Sequence, residues 1–184
     1  MATRRLGLVI IDRDGVINVD SDEYIKSPDE WVPMPGSLAA LAALTRAGAT
    51  LVVATNQSGI GRGLFSEATL GRIHAKMNAA VAAAGGRIAG IYHCPHRPDE
   101  GCRCRKPAPA LLERIGADFG ESLAGIPFIG DKVSDIEAAL AVGARPILVG
   151  DRVPAADREA AARGIERYPD LPAAARALIR EADD

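Results

Sequence analysis

The sequence predicts a doubly wound α/β fold: a mainly parallel, Rossmann-like sheet with helices on both faces. Three observations carry that prediction. Short aliphatic runs such as Leu8-Val9-Ile10-Ile11 and Leu51-Val52-Val53-Ala54 show no polar alternation, the habit of strands buried on both sides. Between them lie stretches with apolar residues three or four apart, the spacing of one helix face. The two kinds alternate along all 184 residues without a composition break that marks a linker, so one domain spanning 1–184 is expected.

The opening strand, Leu8–Ile11, stops abruptly at Asp12-Arg13-Asp14-Gly15. Val19 to Pro35 is polar and broken by Pro28, Pro33 and Pro35, a loop over the strand ends. Ser37 is placed to cap a helix whose Leu38, Leu41 and Leu44 form a stripe and which Gly48 stops. Thr50–Thr55 is the second strand, terminating in Asn56-Gln57-Ser58-Gly59. Ser66 caps a helix carrying Leu70, Ile73, Met77 and Val81, ended by Gly85-Gly86. A third strand, Ile88–His93, runs into a cysteine cluster. Then come a helix over Pro109–Ile115, a fourth strand over Ile126–Gly130, a helix over Asp135–Val142 with Gly143 behind it, and a fifth strand over Arg145–Val149. The tail reads as a helix from Pro154, a short edge strand at Ile165–Tyr168, and a last helix from Pro172 with Asp170 near its cap.

With 48% apolar residues, 25% charged residues and a net charge of -2, the chain lacks the basic excess that nucleic acid or an anionic membrane asks for. A phosphorylated ligand must therefore meet locally placed cations. No basic n-region followed by an apolar h-region of signal-peptide length opens the sequence, and no apolar run is long enough to cross a bilayer, so a cytoplasmic protein is expected. The three cysteines, an odd count, crowd into Cys94–Cys104, which suits metal ligation or free thiols better than a disulfide framework.

Chemistry gathers where strands end. Asp12 and Asp14, two apart in extended chain, face the same way, and Gly15 permits the sharp turn beyond them. Two carboxylates on one side can hold a hard cation or divide nucleophilic and acid/base roles. Thr55 with Asn56, Arg105-Lys106, and Gly130-Asp131-Lys132 with Asp135 follow other strands. Right-handed crossovers bring all of them to one sheet edge. Taken singly, each has a plainer reading: Asp12–Gly15 as a solvated turn with a local ion pair, Thr55 as a strand-end hydroxyl, Lys106 as a solvated charge, Asp131 as a turn residue. Cys94, His96, Cys102 and Cys104 offer three thiolates and an imidazole within eleven residues, the ligand set of a closed, structural zinc site. Such a zinc would fix the loop that delivers Arg105 and Lys106. The plainer reading there is free thiols and a surface histidine. His93, at the strand end, is a rival ligand, and His74, on a helix, is a surface or boundary residue.

In this order, Asp12-Arg13-Asp14-Gly15, Thr55, Lys106, and Gly130-Asp131 with Asp135 resemble the four motifs of the haloacid dehalogenase (HAD) superfamily of phosphohydrolases. The longer strings Asp12-Arg13-Asp14-Gly15-Val16-Ile17-Asn18, Thr55-Asn56-Gln57-Ser58-Gly59-Ile60 and Cys94-Pro95-His96 through Cys102-Arg103-Cys104-Arg105-Lys106-Pro107 are similar to those of its heptose-bisphosphate and histidinol-phosphate phosphatases. The resemblance implies hydrolysis of a phosphate monoester through an aspartyl phosphate, with Asp12 as nucleophile and Asp14 as general acid and base. Thr55 and Lys106 would stabilise the phosphoryl group. Catalytic Mg²⁺ would be held by Asp12, Asp131 and Asp14, the last through its backbone carbonyl, beside a structural Zn²⁺. Arg13, Asp20, Ser21, Asp22, Glu23, Asn56, Gln57, Ser58, Arg105 and Lys132 would contact substrate, while the role of Asp135 stays open.

The implied substrate is a phosphorylated sugar, a heptose bisphosphate losing its 7-phosphate on the way to nucleotide-activated heptose for lipopolysaccharide or a related glycan. Histidinol phosphate is the alternative. The implied partners include neither nucleic acid nor membrane, and a monomer is expected. The intervals between motifs, about forty and fifty residues, leave no room for a large cap domain, so loops at Asp20–Tyr24, Ser58–Arg62 and the zinc cluster are expected to wall the site. Two other readings stay open. A receiver-type phospho-acceptor domain shares the architecture, but its acceptor Asp is expected where this chain has Thr55; a zinc-stabilised adaptor is the other.

Overall fold

Each aliphatic run becomes a strand: β1 (Leu8–Ile11), β2 (Thr50–Asn56), β3 (Ile88–Cys94), β4 (Pro127–Gly130), β5 (Arg145–Val149) and β6 (Glu166–Tyr168). The computed structural model describes residues 6–150 and 154–183. All neighbouring strands pair in parallel, in the order β3-β2-β1-β4-β5-β6. Helices α1 (Ser37–Arg46), α2 (Glu67–Ala83), α3 (Ala110–Phe119), α4 (Val133–Ala141), α5 (Pro154–Arg163) and α6 (Leu171–Asp183) make the crossovers and the C-terminal cover.

The absence of polar alternation in β1 has a direct cause. Val9 and Ile11 enter one core with Leu41, Leu44, Ile73, Met77 and Leu178, so α1, α2 and α6 cover that face. Leu8 and Ile10 enter a second core with Leu111, Leu112, Ile115 and Ala138, from α3 and α4. Each large aliphatic side chain so buried contributes roughly 1.5–3 kcal/mol. The strand order reverses direction between β1 and β4, and in such sheets the crevice opens beyond the carboxyl ends at that point. Among the described residues, no helix is long and apolar enough to cross a membrane.

Several element ends differ by a residue or more from the sequence expectation, and at three helices the structure shows what surrounds the shifted end. Ser37 is the first residue of α1 rather than its cap: Gly36 takes the cap position in the left-handed region, and the Ser37 hydroxyl is buried without a partner. Helix α3 runs past Ile115 to Phe119, and Gly116 within it packs against the Glu121 carbonyl and Leu123, leaving no room for a side chain. Helix α4 starts at Val133, two residues before Asp135, whose side chain accepts from the Asp131 and Lys132 amides. By contrast Ser66 and Asp170 both accept a backbone N–H at their helix starts, as expected of Ser and Asp caps.

Candidate active site

Beyond β1 and β4, Asp12, Asp131 and Asp135 converge, each offering a carboxylate oxygen within 4.8 Å of the others. Lys106 lies among them, its Nζ 3.0 Å from Asp12 Oδ1 and 2.6 Å from Asp135 Oδ1, and it donates to the Ala54 carbonyl at 2.8 Å. Its backbone is pinned by the Asn56 side chain, which donates to the Lys106 carbonyl and accepts from the Lys106 amide, both at 3.0 Å. Two glycines let the carboxylates approach. A Cβ on Gly15, at φ +87°, would sit 2.2 Å from Asp131 Oδ2, and one on Gly130 would sit 2.4 Å from Asp135 Cβ.

Burial and mutual repulsion set the electrostatics. Burial pushes Asp12 up to about 6; Lys106 opposes the rise and Asp135 adds to it. Burial pushes Asp131 up to about 8 against the pull of Lys132, with Asp12 and Asp135 reinforcing. Asp131 Oδ1 is buried without a hydrogen-bond partner. Oxygen donors crowded together and short of positive charge fit a hard divalent cation such as Mg²⁺. Asp135 already serves two amides and Lys106, so Asp12 and Asp131 are the carboxylates left to hold it.

The Asp14 carboxylate stands apart from that cluster. Arg13 reaches it with Nε on Oδ1 and Nη2 on Oδ2, each at 3.0 Å, while Asn18 Nδ2 donates to Oδ1 at 2.9 Å and Gln57 Nε2 to Oδ2 at 2.8 Å. Burial alone would raise its pKa, but the Arg13 charge and these donors outweigh it and hold Asp14 below the usual carboxylate value. Gln57 Nε2 also lies 2.9 Å from Thr55 Oγ1, joining the second motif to the first.

A cleft of about 410 Å³ opens over these groups, lined by Asp14, Asp20, Ser21, Asn56, Gln57, Arg105, Lys106 and Lys132 together with Tyr24, Ile25, Pro107 and Ser134. Lys132 Nζ reaches across to Asp20 Oδ2 at 2.9 Å. Of the residues expected to touch substrate, four do not line the cleft. Arg13 is wholly buried behind Asp14, Asp22 and Glu23 face solvent, and Ser58 is buried in its turn. The Ser58–Arg62 loop packs on the cysteine-bearing loop instead of walling the cleft, with the Gly61 amide donating to the Pro95 carbonyl at 2.9 Å. Tyr24 lines the cleft as expected of the Asp20–Tyr24 loop, whereas Ile25, Pro107 and Ser134 were not legible as lining residues, because loop curvature places them. Asp135 had a signal: a carboxylate three residues into a helix start is a capping pattern.

The cysteine cluster closes as the spacing suggested. Cys94 Sγ lies 3.2 Å from Cys104 Sγ and 3.6 Å from Cys102 Sγ, and His96 Nδ1 lies 3.3 Å from Cys104 Sγ and 3.5 Å from Cys94 Sγ. These edges approach the ~3.8 Å sulfur spacing of tetrahedral zinc thiolate. Burial and its sulfur neighbours push the Cys94 thiol up, the strain that a bound cation relieves. His93 is excluded from the cluster, since its Nε2 pairs with Glu67 at 2.9 Å. The loop continues into Arg105, which donates to the His96 carbonyl at 3.3 Å.

Comparison with known proteins fits this geometry. Residues 103–174 match the family model described as HAD-hydrolase-like. The D-glycero-beta-D-manno-heptose-1,7-bisphosphate 7-phosphatase of Pseudomonas putida is 57% identical over 142 residues, covering 77% of this chain and 81% of the relative. That of Bordetella bronchiseptica is 48% identical over 177 residues, covering 95% and 99%. The chain belongs to the heptose-bisphosphate 7-phosphatase family of HAD-like hydrolases. The crystal structure of the B. bronchiseptica D,D-heptose bisphosphate phosphatase, complexed with magnesium and phosphate, superposes with a TM-score of 0.88 at 47% identity, over 96% of this chain and 99% of that one. A second heptose-bisphosphate phosphatase structure, from Burkholderia thailandensis, gives a TM-score of 0.70 at 42% identity, over 94% and 98%.

Proposed function

We propose that this chain is a magnesium-dependent phosphomonoesterase that removes the 7-phosphate of a heptose 1,7-bisphosphate, with Asp12 as nucleophile. The observation that carries the reading is the placement of Asp12 beside Lys106, with Asp131 on one side and a separately oriented Asp14 on the other. Relatives up to 57% identical carry the heptose-bisphosphate name, which favours that substrate over histidinol phosphate. Family membership likewise favours an esterase over a receiver domain or an adaptor.

Mg²⁺ held by Asp12, Asp131 and the backbone carbonyl of Asp14 supplies charge neutralisation at the phosphoryl oxygens. A carboxylate attacks a phosphate ester only when the repulsion between anions is offset. Lys106 offsets part of it and orients Asp12 through Oδ1. Asp12 attacks phosphorus in line: a bond forms between its oxygen and phosphorus as the bond to the sugar oxygen breaks. Asp14 protonates that oxygen as it leaves. In the free protein Asp14 is ionised, and a phosphate dianion beside it works in the opposite direction, favouring proton uptake before the ester bond breaks. Asp14 then takes a proton from water, the water oxygen bonds to phosphorus, and Asp12 is released as carboxylate with inorganic phosphate. Thr55 donates to a phosphoryl oxygen, and Arg105 and Lys132, on the cleft rim, meet the second phosphate. Cys94, His96, Cys102 and Cys104 would hold a structural zinc, which would fix the loop that positions Arg105 and Lys106.

The test is a panel of phosphoesters assayed with Mg²⁺ on wild type and Asp12→Asn. The heptose bisphosphate should be the preferred substrate, hydrolysed at C7, and activity should vanish in the variant. Preference for histidinol phosphate, or turnover retained by Asp12→Asn, contradicts the reading.

A further inference from the structure

We infer that His74 is a positioning residue for Asp14, acting through Arg13. The inference rests on the reading of Asp14 as the proton-transfer group. Arg13 is 0% exposed, and its guanidinium has donors only. Two of them go to Asp14, and Nη1 meets His74 Nε2 at 3.1 Å. Since arginine cannot accept, His74 Nε2 must supply the lone pair, which fixes the ring as neutral with its proton on Nδ1. Burial and the Arg13 charge push the His74 pKa down to about 3, in keeping with that state.

His74 is a rigid anchor for this purpose. Its helix, α2, is seated in the core by Ile73 and Met77 on either side of it in sequence, and Lys76 donates to the Pro28 and Trp31 carbonyls. The imidazole therefore holds the far end of the guanidinium fork, and the near end aligns both oxygens of Asp14. Removing the acceptor leaves a buried donor unpaired and lets the fork turn, while Asn18 and Gln57 keep a partial grip on Asp14. The effect should fall on proton transfer to the leaving group, not on substrate binding.

The experiment compares kcat/KM for an alkyl phosphate, whose alkoxide needs a proton, with that for p-nitrophenyl phosphate, whose phenolate does not. The proteins are wild type, His74→Leu, His74→Gln and Asp14→Asn. His74→Leu should lose about tenfold on the alkyl ester and less than about twofold on the aryl ester, and His74→Gln, whose amide oxygen accepts, should restore the alkyl rate. Equal losses on both esters, or no rescue by Gln, overturns the inference. Nitrogen NMR of the wild-type ring keeps the test open if His74→Leu fails to fold: a proton on Nδ1 supports the inference and one on Nε2 overturns it. If Asp14→Asn itself shows no dependence on the leaving group, the reading of Asp14 fails and takes this inference with it, an outcome distinct from a His74 variant failing alone.

Discussion

Lys106 Nζ stands 3.0 Å from Asp12 Oδ1, both side chains almost wholly shielded from water. The same ammonium pairs with Asp135 and donates to the Ala54 carbonyl, so three parts of the chain hold it. Burial works to lower the Lys106 pKa, but Asp12 and Asp135 outweigh it and hold it charged. Lys106→Met leaves two buried carboxylates facing each other without their cation. The expected destabilisation is about 3–5 kcal/mol, read from urea unfolding without divalent cation, and kcat/KM should fall by at least about 100-fold. Unchanged unfolding would show that the ion pairs are not formed.

Asn56 was expected to touch substrate, and it lines the cleft, but both ends of its amide are spent on the Lys106 backbone. Asn56→Ala should therefore lower kcat far more than it raises KM, and cost about 1–3 kcal/mol of stability. A change confined to KM would return Asn56 to direct substrate contact. Steady-state kinetics on the folded variant decide between the two.

Acid should expose the cost of a neutral His74. Its folded pKa, about 3, lies below the ordinary value of 6.5, so between those values the unfolded chain binds the proton and the native one does not. Stability is then lost as pH falls from about 6.5 toward 3, by about 1.4 kcal/mol per pH unit from this group. The raised pKa values of Asp12 and Asp131 act with the opposite sign, and the lowered one of Asp14 with the same sign, so the measurable quantity is a difference. Denaturation of wild type and His74→Gln across pH 4 to 7 should give curves that diverge on acidification, with wild type the steeper. Parallel curves contradict the neutral buried imidazole.

The cysteine cluster predicts about one zinc atom per chain by elemental analysis, and a loss of thermal stability on chelation that added zinc reverses. Arg105 and Lys106 directly follow Cys104, so stripped protein should also lose phosphatase activity with Mg²⁺ in excess. Protein without zinc that keeps its stability would return the cluster to free thiols.

Much of this was legible in the sequence because its signals are periodic or local. Aliphatic runs gave the strands; Asp12, Asp14, Thr55 and Asp131 fall at or just past their ends, Lys106 comes from the loop beyond β3, and the topology brings all of them to one edge. The Cys/His cluster was legible because all four residues lie in one short segment. The contacts spanning the fold were not. Arg13 was expected to contact substrate, yet it is buried against Asp14 and His74, the latter 61 residues away. His74 reads as a boundary residue because nothing in α2 announces an arginine opposite. The Ser58–Arg62 loop, expected as a wall, turns toward Pro95, a packing choice that no local pattern encodes.

The central claim is a transient covalent bond between Asp12 and phosphorus. Rapid acid quench of the enzyme during turnover of a heptose bisphosphate, followed by reductive trapping of the acyl phosphate with borohydride and peptide mass spectrometry, tests it most directly. The account predicts homoserine in place of aspartate at position 12, absent without substrate. Trapping at any other residue, or none while phosphate is being released, contradicts it.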